Sequence, residues 1–360
     1  MNKLQPLAVF TIILMLTAAL ITGCVRTDTG HSQTTDPPDS TATESEKQTV
    51  LIPVGGYEYG SLEELSAQSD WILRGTVTDR QFRSKSLPRT EDCLYYTVIT
   101  MQVEEVYKGA PGFDTVEVWE LGGETEDTVY TFETRAEPDP GQTYVVYLDA
   151  LNPAQGTAVL NGHCQGLYPV KDGALLPNSG GFSITADDLE ALKTKRDWSA
   201  PKTEIAVAVD MKLYDETTDE LAEASDAVVY GTVLHRRYVL CSRSEGKLLT
   251  PTVEDDPEAD LKTIYTLWIH QAYQGGSLPP VIEVLVDGGE TDARIVRHSD
   301  NRGMDVFESY VLFLRENSLG LYSPVGGGQG ICQADSTGST VHARYGGRIP
   351  FSDILALDTD

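Results

Sequence analysis

The chain has 360 residues, 40% of them hydrophobic. That suffices for ordinary packed cores, and at about 100–200 residues per domain two folded domains are expected. Twenty-seven basic residues face 55 acidic ones, a net charge of −28. No basic cluster rises out of that background, so binding to nucleic acid or to an anionic surface is disfavoured.

Residues 1–23 carry one basic residue, Lys3, then an apolar run from Leu7 to Ile21 that ends in Ile21-Thr22-Gly23-Cys24. This resembles a bacterial lipoprotein signal peptide closed by a lipobox. The resemblance implies cleavage before Cys24 and transfer of a diacylglyceryl group to its thiol. An uncleaved anchor is the alternative, although the run is short of the roughly 20 apolar residues a span needs. Residues 24–48 are rich in Thr, Ser, Asp and Pro and nearly free of large apolar side chains. Such a segment cannot offset its ordering entropy, so a disordered tether is expected, with a reach of roughly 25–30 Å. The expected location is the extracytoplasmic face of the cell membrane.

Two folded repeats follow, expected over 49–198 and 199–360. Each opens with a short apolar strand, 50–54 and 205–209. A helix comes next, with capping pairs Ser61 with Glu64 and Thr217 with Glu220. Ser69-Asp70 and Gly75-Thr76-Val77 recur as Ser225-Asp226 and Gly231-Thr232-Val233. Long strands rich in β-branched and aromatic residues follow at 95–107 and 263–273. Further strands are expected at 115–121 and 281–286, at 143–149 and 309–315, and near 157–170 and 321–333. Gly122-Gly123-Glu124 recurs as Gly288-Gly289-Glu290, and Gln165-Gly166-Leu167 as Gln329-Gly330-Ile331. A preserved order of matches over about 100 residues marks an internal duplication. Each copy closes with a helix, capped by Thr185 and by Ser352.

The expected fold class is mainly β with short helices, arranged as two tandem OB-like Greek-key β-barrels; a β-sandwich is the alternative. The recurring motifs resemble those of uncharacterised exported Gram-positive proteins, whose domain is similar to the barrels of tissue metalloproteinase inhibitors and netrin modules. The resemblance covers 60–170 and 216–334.

Beyond Cys24, two cysteines fall in each copy. An oxidising compartment favours the bridges Cys93–Cys164 and Cys241–Cys332, with four reduced thiols as the alternative. No Cys-x-x-Cys occurs, and His31, His163, His235, His270, His298 and His342 are scattered, so neither a metal nor a cofactor is expected. His163 and Cys164, if neighbours on a strand, would point to opposite faces. Ser244-Glu-Gly-Lys247 fits a Ser-x-x-Lys motif by letter only, and the acids at 254–260 lack the pattern of a calcium loop. Tyr95, Tyr96, Tyr107, Tyr144, Tyr147, Tyr265, Tyr273 and Tyr310 fall on expected strands, as packing or as a binding face. The leading expectation is a membrane-attached, non-enzymatic binding or accessory module for a protein or envelope glycan. An inhibitor of the barrel type and an enzyme of unrecognised class are the alternatives. The inhibitor reading is weakened because a metalloproteinase inhibitor chelates zinc through a free N-terminal cysteine amine, which acylation of Cys24 would block.

Overall fold

The computed structural model describes residues 47–359 apart from 53–57, 89, 91–92, 133–134, 136, 179–180, 210–217, 243–246, 250–258, 301–302, 335–339 and 343–347. The leader, Cys24 and nearly all of the expected tether lie outside the described residues, as do Thr217 and most of the acidic loop. Among the described residues no helix is long and apolar enough to cross a membrane.

The chain is mainly β, as expected. The first half runs β1 (Gln48–Leu51), α1 (Leu62–Gln68), β2 (Trp71–Ser86), β3 (Cys93–Lys108), β4 (Thr115–Leu121), β5 (Gly123–Glu124), β6 (Thr128–Thr131), β7 (Thr143–Asn152), β8 (Thr157–Leu160), β9 (Leu167–Lys171), β10 (Ala174–Leu175) and α2 (Ala186–Lys195). The second half runs β11 (Thr203–Val207), α3 (Thr218–Glu223), β12 (Ala227–Cys241), β13 (Leu248–Leu249), β14 (Asp260–Gln274), β15 (Val281–Asp287), β16 (Gly289–Glu290), β17 (Arg294–His298), β18 (Ser309–Glu316), β19 (Tyr322–Pro324), β20 (Ile331–Ala334), β21 (Thr340–His342), β22 (Arg348–Pro350) and α4 (Phe351–Leu355).

The duplication read from the sequence recurs in the pairings. In the first half the antiparallel ladders run β7–β2–β3–β4, β8 joins β4 in parallel, and β8 also pairs back onto β7. In the second half β18–β12–β14–β15 repeats that path, with β19 parallel to β15 and antiparallel to β18. Both sets of ladders therefore return to the strand from which they start. Outside them, β1 lies parallel to β6 and β11 parallel to β17. The long strands shift register at matching places, after Ile72, Arg74 and Val77 and after Val228, Tyr230 and Val233. Gly75 and Gly231 sit at these shifts because a Cβ there would meet the facing carbonyl oxygen at 2.7 and 2.5 Å.

Alternation along the strands sorts the side chains. Leu73, Val77, Ile99, Met101, Val118, Val146 and Leu148 form the interior of the first ring. Ile72, Val145 and Tyr147 point the other way and pack beneath α1 and α2 with Leu65 and Leu189. In the second half Val228, Val311 and Phe313 do the same beneath α3 and α4.

Several element ends differ from expectation. β1 starts at Gln48, so the last residue of the expected tether is already paired, with Thr128. Its partner β6 was not foreseen, because Thr128–Thr131 is short and follows the acids Glu124, Glu126 and Asp127. Ser61 caps α1 through Glu64 N at 3.1 Å, but the Glu64 carboxylate accepts from Gly60 N at 2.9 Å, so the expected box is displaced by one residue. Thr185 forms a complete capping box with Asp188. Ser352 lies inside α4 and Pro350 occupies the cap, since its φ of −57° already suits helix entry. The strands expected at 157–170 and 321–333 are each broken by a 3₁₀ turn, His163–Gly166 and Gly327–Gly330, entered through left-handed Gly162 and Gly326. His163 and Cys164 are thus turn residues, not strand neighbours.

Gly123 has a φ of +152°, and a Cβ there would sit 2.2 Å from Phe82 Cδ2. Gly123→Ala is expected to lower stability by at least about 2 kcal/mol through backbone strain and overlap. A fall in the urea midpoint at unchanged m-value would report it.

Candidate functional site

The two halves pack as one compact unit. Tyr96, Val98, Leu121 and Val159 of the first half share a core cluster with Val229, Leu267, Val284 and Leu312 of the second. Phe307 joins them, stacking on Trp119 and Tyr96 with centroids 6.0 and 6.1 Å apart. Its φ is +66°, a conformation costly for a bulky residue. The matching turn of the first half has Gly141, whose N–H bonds Val77 O as Phe307 N–H bonds Val233 O. The strain at Phe307 is held by the rings it reaches across the seam.

Charge fixes the rest of the seam. Arg236 grips Asp149 through two hydrogen bonds, 2.9 and 2.6 Å, and donates to Ala150 O at 3.0 Å. Asp70 Oδ2 accepts from Ala150 N at 3.0 Å, and Lys202 bridges Asp70 and Glu290 at 3.9 and 2.5 Å. Burial disfavours the charged form of both aspartates, and at Asp149 it outweighs Arg236, lifting the carboxyl to about 7. At Asp70, Arg236 and Lys202 outweigh burial, so this carboxyl falls below its ordinary value. Nearby, His235 is buried beside Tyr59 and Asn161, its Nε2 3.1 Å from Asn161 Oδ1. The Tyr59 hydroxyl donates to the same oxygen. Clustered acids and a histidine therefore do meet, but as a joint in which Arg236, Lys202 and Asn161 occupy them.

Gln68, at the end of α1, completes the seam. Its amide donates to Tyr238 O at 2.7 Å and its carbonyl accepts from Tyr238 N at 2.8 Å, as a neighbouring strand would. Tyr238 has a counterpart in the first half. A Cβ on Gly289 would meet Tyr238 and Thr263, and a Cβ on Gly123 would meet Phe82 and Thr97. Phe82 pairs with Thr97 as Tyr238 pairs with Thr263. Gln68 of the first half thus pairs with the strand backbone of the second at Tyr238, and among the described residues no side chain makes the equivalent pair of bonds at Phe82.

The Phe82 face of the first half is aromatic. Tyr95 and Tyr130 stack with centroids 3.7 Å apart, and Phe82 lies 5.9 and 6.1 Å from them. All three rings are half-buried. Beyond Thr76, β2 pairs only with β3 among the described residues, so the backbone edge at Phe82 lies beside these rings. In the second half Leu261 and Val296 stand where Tyr95 and Tyr130 stand in the first.

Comparison with known protein families and with curated proteins found no match. The site is accordingly read from its geometry.

The expected disulfides are not formed: Cys93, Cys164, Cys241 and Cys332 are unbridged thiols. Cys93 pairs with Ser86, thirteen residues along β2 from Leu73, whereas Cys164 is in the turn before Leu167, which aligns through Val146 with Leu73. Cys241 ends β12, eleven residues beyond Tyr230, to which Cys332 aligns through Val311. At about 3.3 Å per residue these are separations of tens of Å along a strand, against the roughly 7 Å Cα limit of a disulfide. Burial pushes the Cys332 thiol up to about 12. Cys332 is therefore expected to resist alkylation in the native protein and to react only after unfolding, as mass spectrometry of iodoacetamide adducts would show.

Of the tyrosines singled out from sequence, Tyr95 is half-buried beside Phe82 and Tyr130, whereas Tyr96, Tyr144, Tyr265 and Tyr310 serve the cores. The hydroxyls of Tyr144 and Tyr310 each accept from a turn N–H, of Asp139 and Asp305, at 3.0 and 2.8 Å. Arg236, Lys202 and Phe82 were not foreseen. Arg236 and Phe82 read as ordinary polar and apolar positions of long strands, and only the contact across the seam gives them meaning.

Proposed function

We propose that the protein is a lipid-anchored, extracytoplasmic binding module. Its two OB-like barrels would be held off the membrane by a tether, with a partner engaged through the Phe82–Tyr95–Tyr130 face. The closed ladders, each with one parallel joint among antiparallel ones, support the barrel reading. The lipobox motif ending in Cys24 supports the anchor, for which two acyl chains suffice.

One observation carries the binding reading: the first half gathers Phe82, Tyr95 and Tyr130 as stacked, part-exposed rings, where the second half has Tyr238, Leu261 and Val296 and a strand backbone paired with Gln68. That partner is a helix end whose amide satisfies strand backbone, so the first-half face suits a protein segment of similar kind. Aromatic rings supply contact area at low entropic cost, which fits such a role. An envelope glycan stacking on the rings is the competing ligand. Pull-down from solubilised envelope with the mature chain and with Tyr95→Ala tests this. A protein recovered by the first and lost with the second is expected; recovery of glycan alone, or equal recovery by both, counts against it. Radiolabelled palmitate should enter the wild type and not Cys24→Ser.

A further inference from the structure

The duplication provides an internal comparison for a second site, on the far side of the first ring beneath the helices. Ile72 is flanked by Tyr147 on one side and Lys108 on the other, and Val228 is flanked correspondingly by Phe313 and Gln274. Lys108 and Gln274 do the same structural work. Lys108 Nζ donates to Ser66 O at 2.7 Å, and Gln274 Nε2 donates to Ala222 O at 3.1 Å, in each case closing the end of the preceding helix.

Above these residues the halves diverge. In the second half α4 lays Phe351 and Ile354, both buried, against Ala222, Val228 and Phe313, and the space is filled. In the first half a cavity of about 390 Å³ lies between α2 and α1. Leu62, Ala67 and Leu192 supply apolar wall, and the Trp198 indole closes one side, its N–H held by Leu192 O at 2.9 Å. That volume lies in the range of small-molecule sites and far exceeds a packing defect.

The floor carries a polar group that the fold does not use. Tyr147 is fully buried and is one of the residues lining the cavity, and its hydroxyl has no hydrogen-bond partner among the described residues. Ser66 comes near enough to act on the phenol, yet the geometry falls short of a hydrogen bond. An unpaired buried hydroxyl costs stability, and phenylalanine would serve the core as well. In the filled half the residue is indeed Phe313.

The charges in the cavity are already matched. Lys108 meets Asp292 at 2.6 Å and lies 5.2 Å from the Trp198 ring centroid. The rim adds Glu63, Asp188 and Lys195, so neither a cation nor an anion is selected. We propose that this cavity binds a neutral, largely apolar small molecule carrying one hydrogen-bonding group for the Tyr147 hydroxyl.

The test uses the full mature chain and N-phenyl-1-naphthylamine, a neutral aromatic probe with a single N–H. Titration should give saturable one-site binding with energy transfer from tryptophan that falls in Trp198→Phe. Ala191→Phe, placed on the cavity side of α2, should weaken binding at least about tenfold, and Ala67→Phe provides the same block from α1 should the first variant fail to fold. Tyr147→Phe should weaken binding about fivefold, the value of one ordinary hydrogen bond, while raising the unfolding midpoint. A purely structural hydroxyl would give the opposite pair: lower stability and unchanged binding. That result, absence of saturable binding, or binding indifferent to both blocking variants would overturn the proposal. None of these outcomes bears on the Phe82 face.

Discussion

Arg236→Ala is expected to destabilise the protein by about 3 kcal/mol. The guanidinium satisfies Asp149, whose side chain is 4% exposed, and it lies 3.8 Å from Asp70. Removing it strands two acids that burial already disfavours in charged form. Loss of one partner from a buried pair costs about 3–5 kcal/mol, and the 20% exposure of Arg236 places the estimate at the lower end. Urea unfolding should show a lower midpoint with the m-value retained. The double variant Arg236→Ala/Asp149→Leu should recover part of the loss, because the stranded charge is gone. A loss below about 1 kcal/mol in the single variant would mean that the seam does not depend on this pair.

Acid should loosen the same seam through His235. Its folded pKa lies at about 3: burial is the main cause, with His163, Arg237 and Arg236 adding like charge. The Nε2–H faces Asn161, which the hydrogen-bond network assigns as the donor nitrogen, and Nδ1 has no partner among the described residues. The unfolded imidazole titrates near ~6.5, so below that pH the unfolded chain holds the extra proton. This contribution to stability is therefore complete above about 6.5 and is lost as pH falls from there towards about 3. The slope approaches ~1.4 kcal/mol per pH unit, or about 2–3 kcal/mol by pH 4.5. His235→Gln keeps a donor for Asn161 and removes the proton site. Unfolding free energies at pH 7, 5.5 and 4.5 should fall more steeply for wild type than for this variant; parallel slopes would refute the assignment.

Much of the architecture could be read from the chain because it rests on local pattern. The repeated Gly-Thr-Val after Ser-Asp marks the bulge where β2 and β12 cross their neighbours, and Gly122-Gly123 and Gly288-Gly289 mark turns that only glycine enters readily. Thr185 and Ser61 announce α2 and α1. The seam could not be read the same way, because its residues are those in which the copies differ. By register, Asp149 corresponds to Arg315 and Gln68 to Ala224, so alignment of the halves treats them as noise. Arg236 on a strand looks solvated until the other half covers it. The cysteine pairing failed for a related reason. Even numbers and an oxidising address say nothing about strand length, and β3 and β12 hold the early cysteines of each copy far from the later ones.

The joint at Gln68 also gives equivalent positions different surroundings. At one aromatic position, Tyr238, the backbone is paired with Gln68 of the other half; its twin, Phe82, lies beside Tyr95 and Tyr130. Placing a photo-crosslinking benzoylphenylalanine at each of these two positions, in the full chain expressed in intact cells, is the most direct test. Irradiation should give a discrete adduct with another protein from position 82 and only intramolecular products from position 238. Adducts of equal yield from both positions, or none from position 82, would contradict the account.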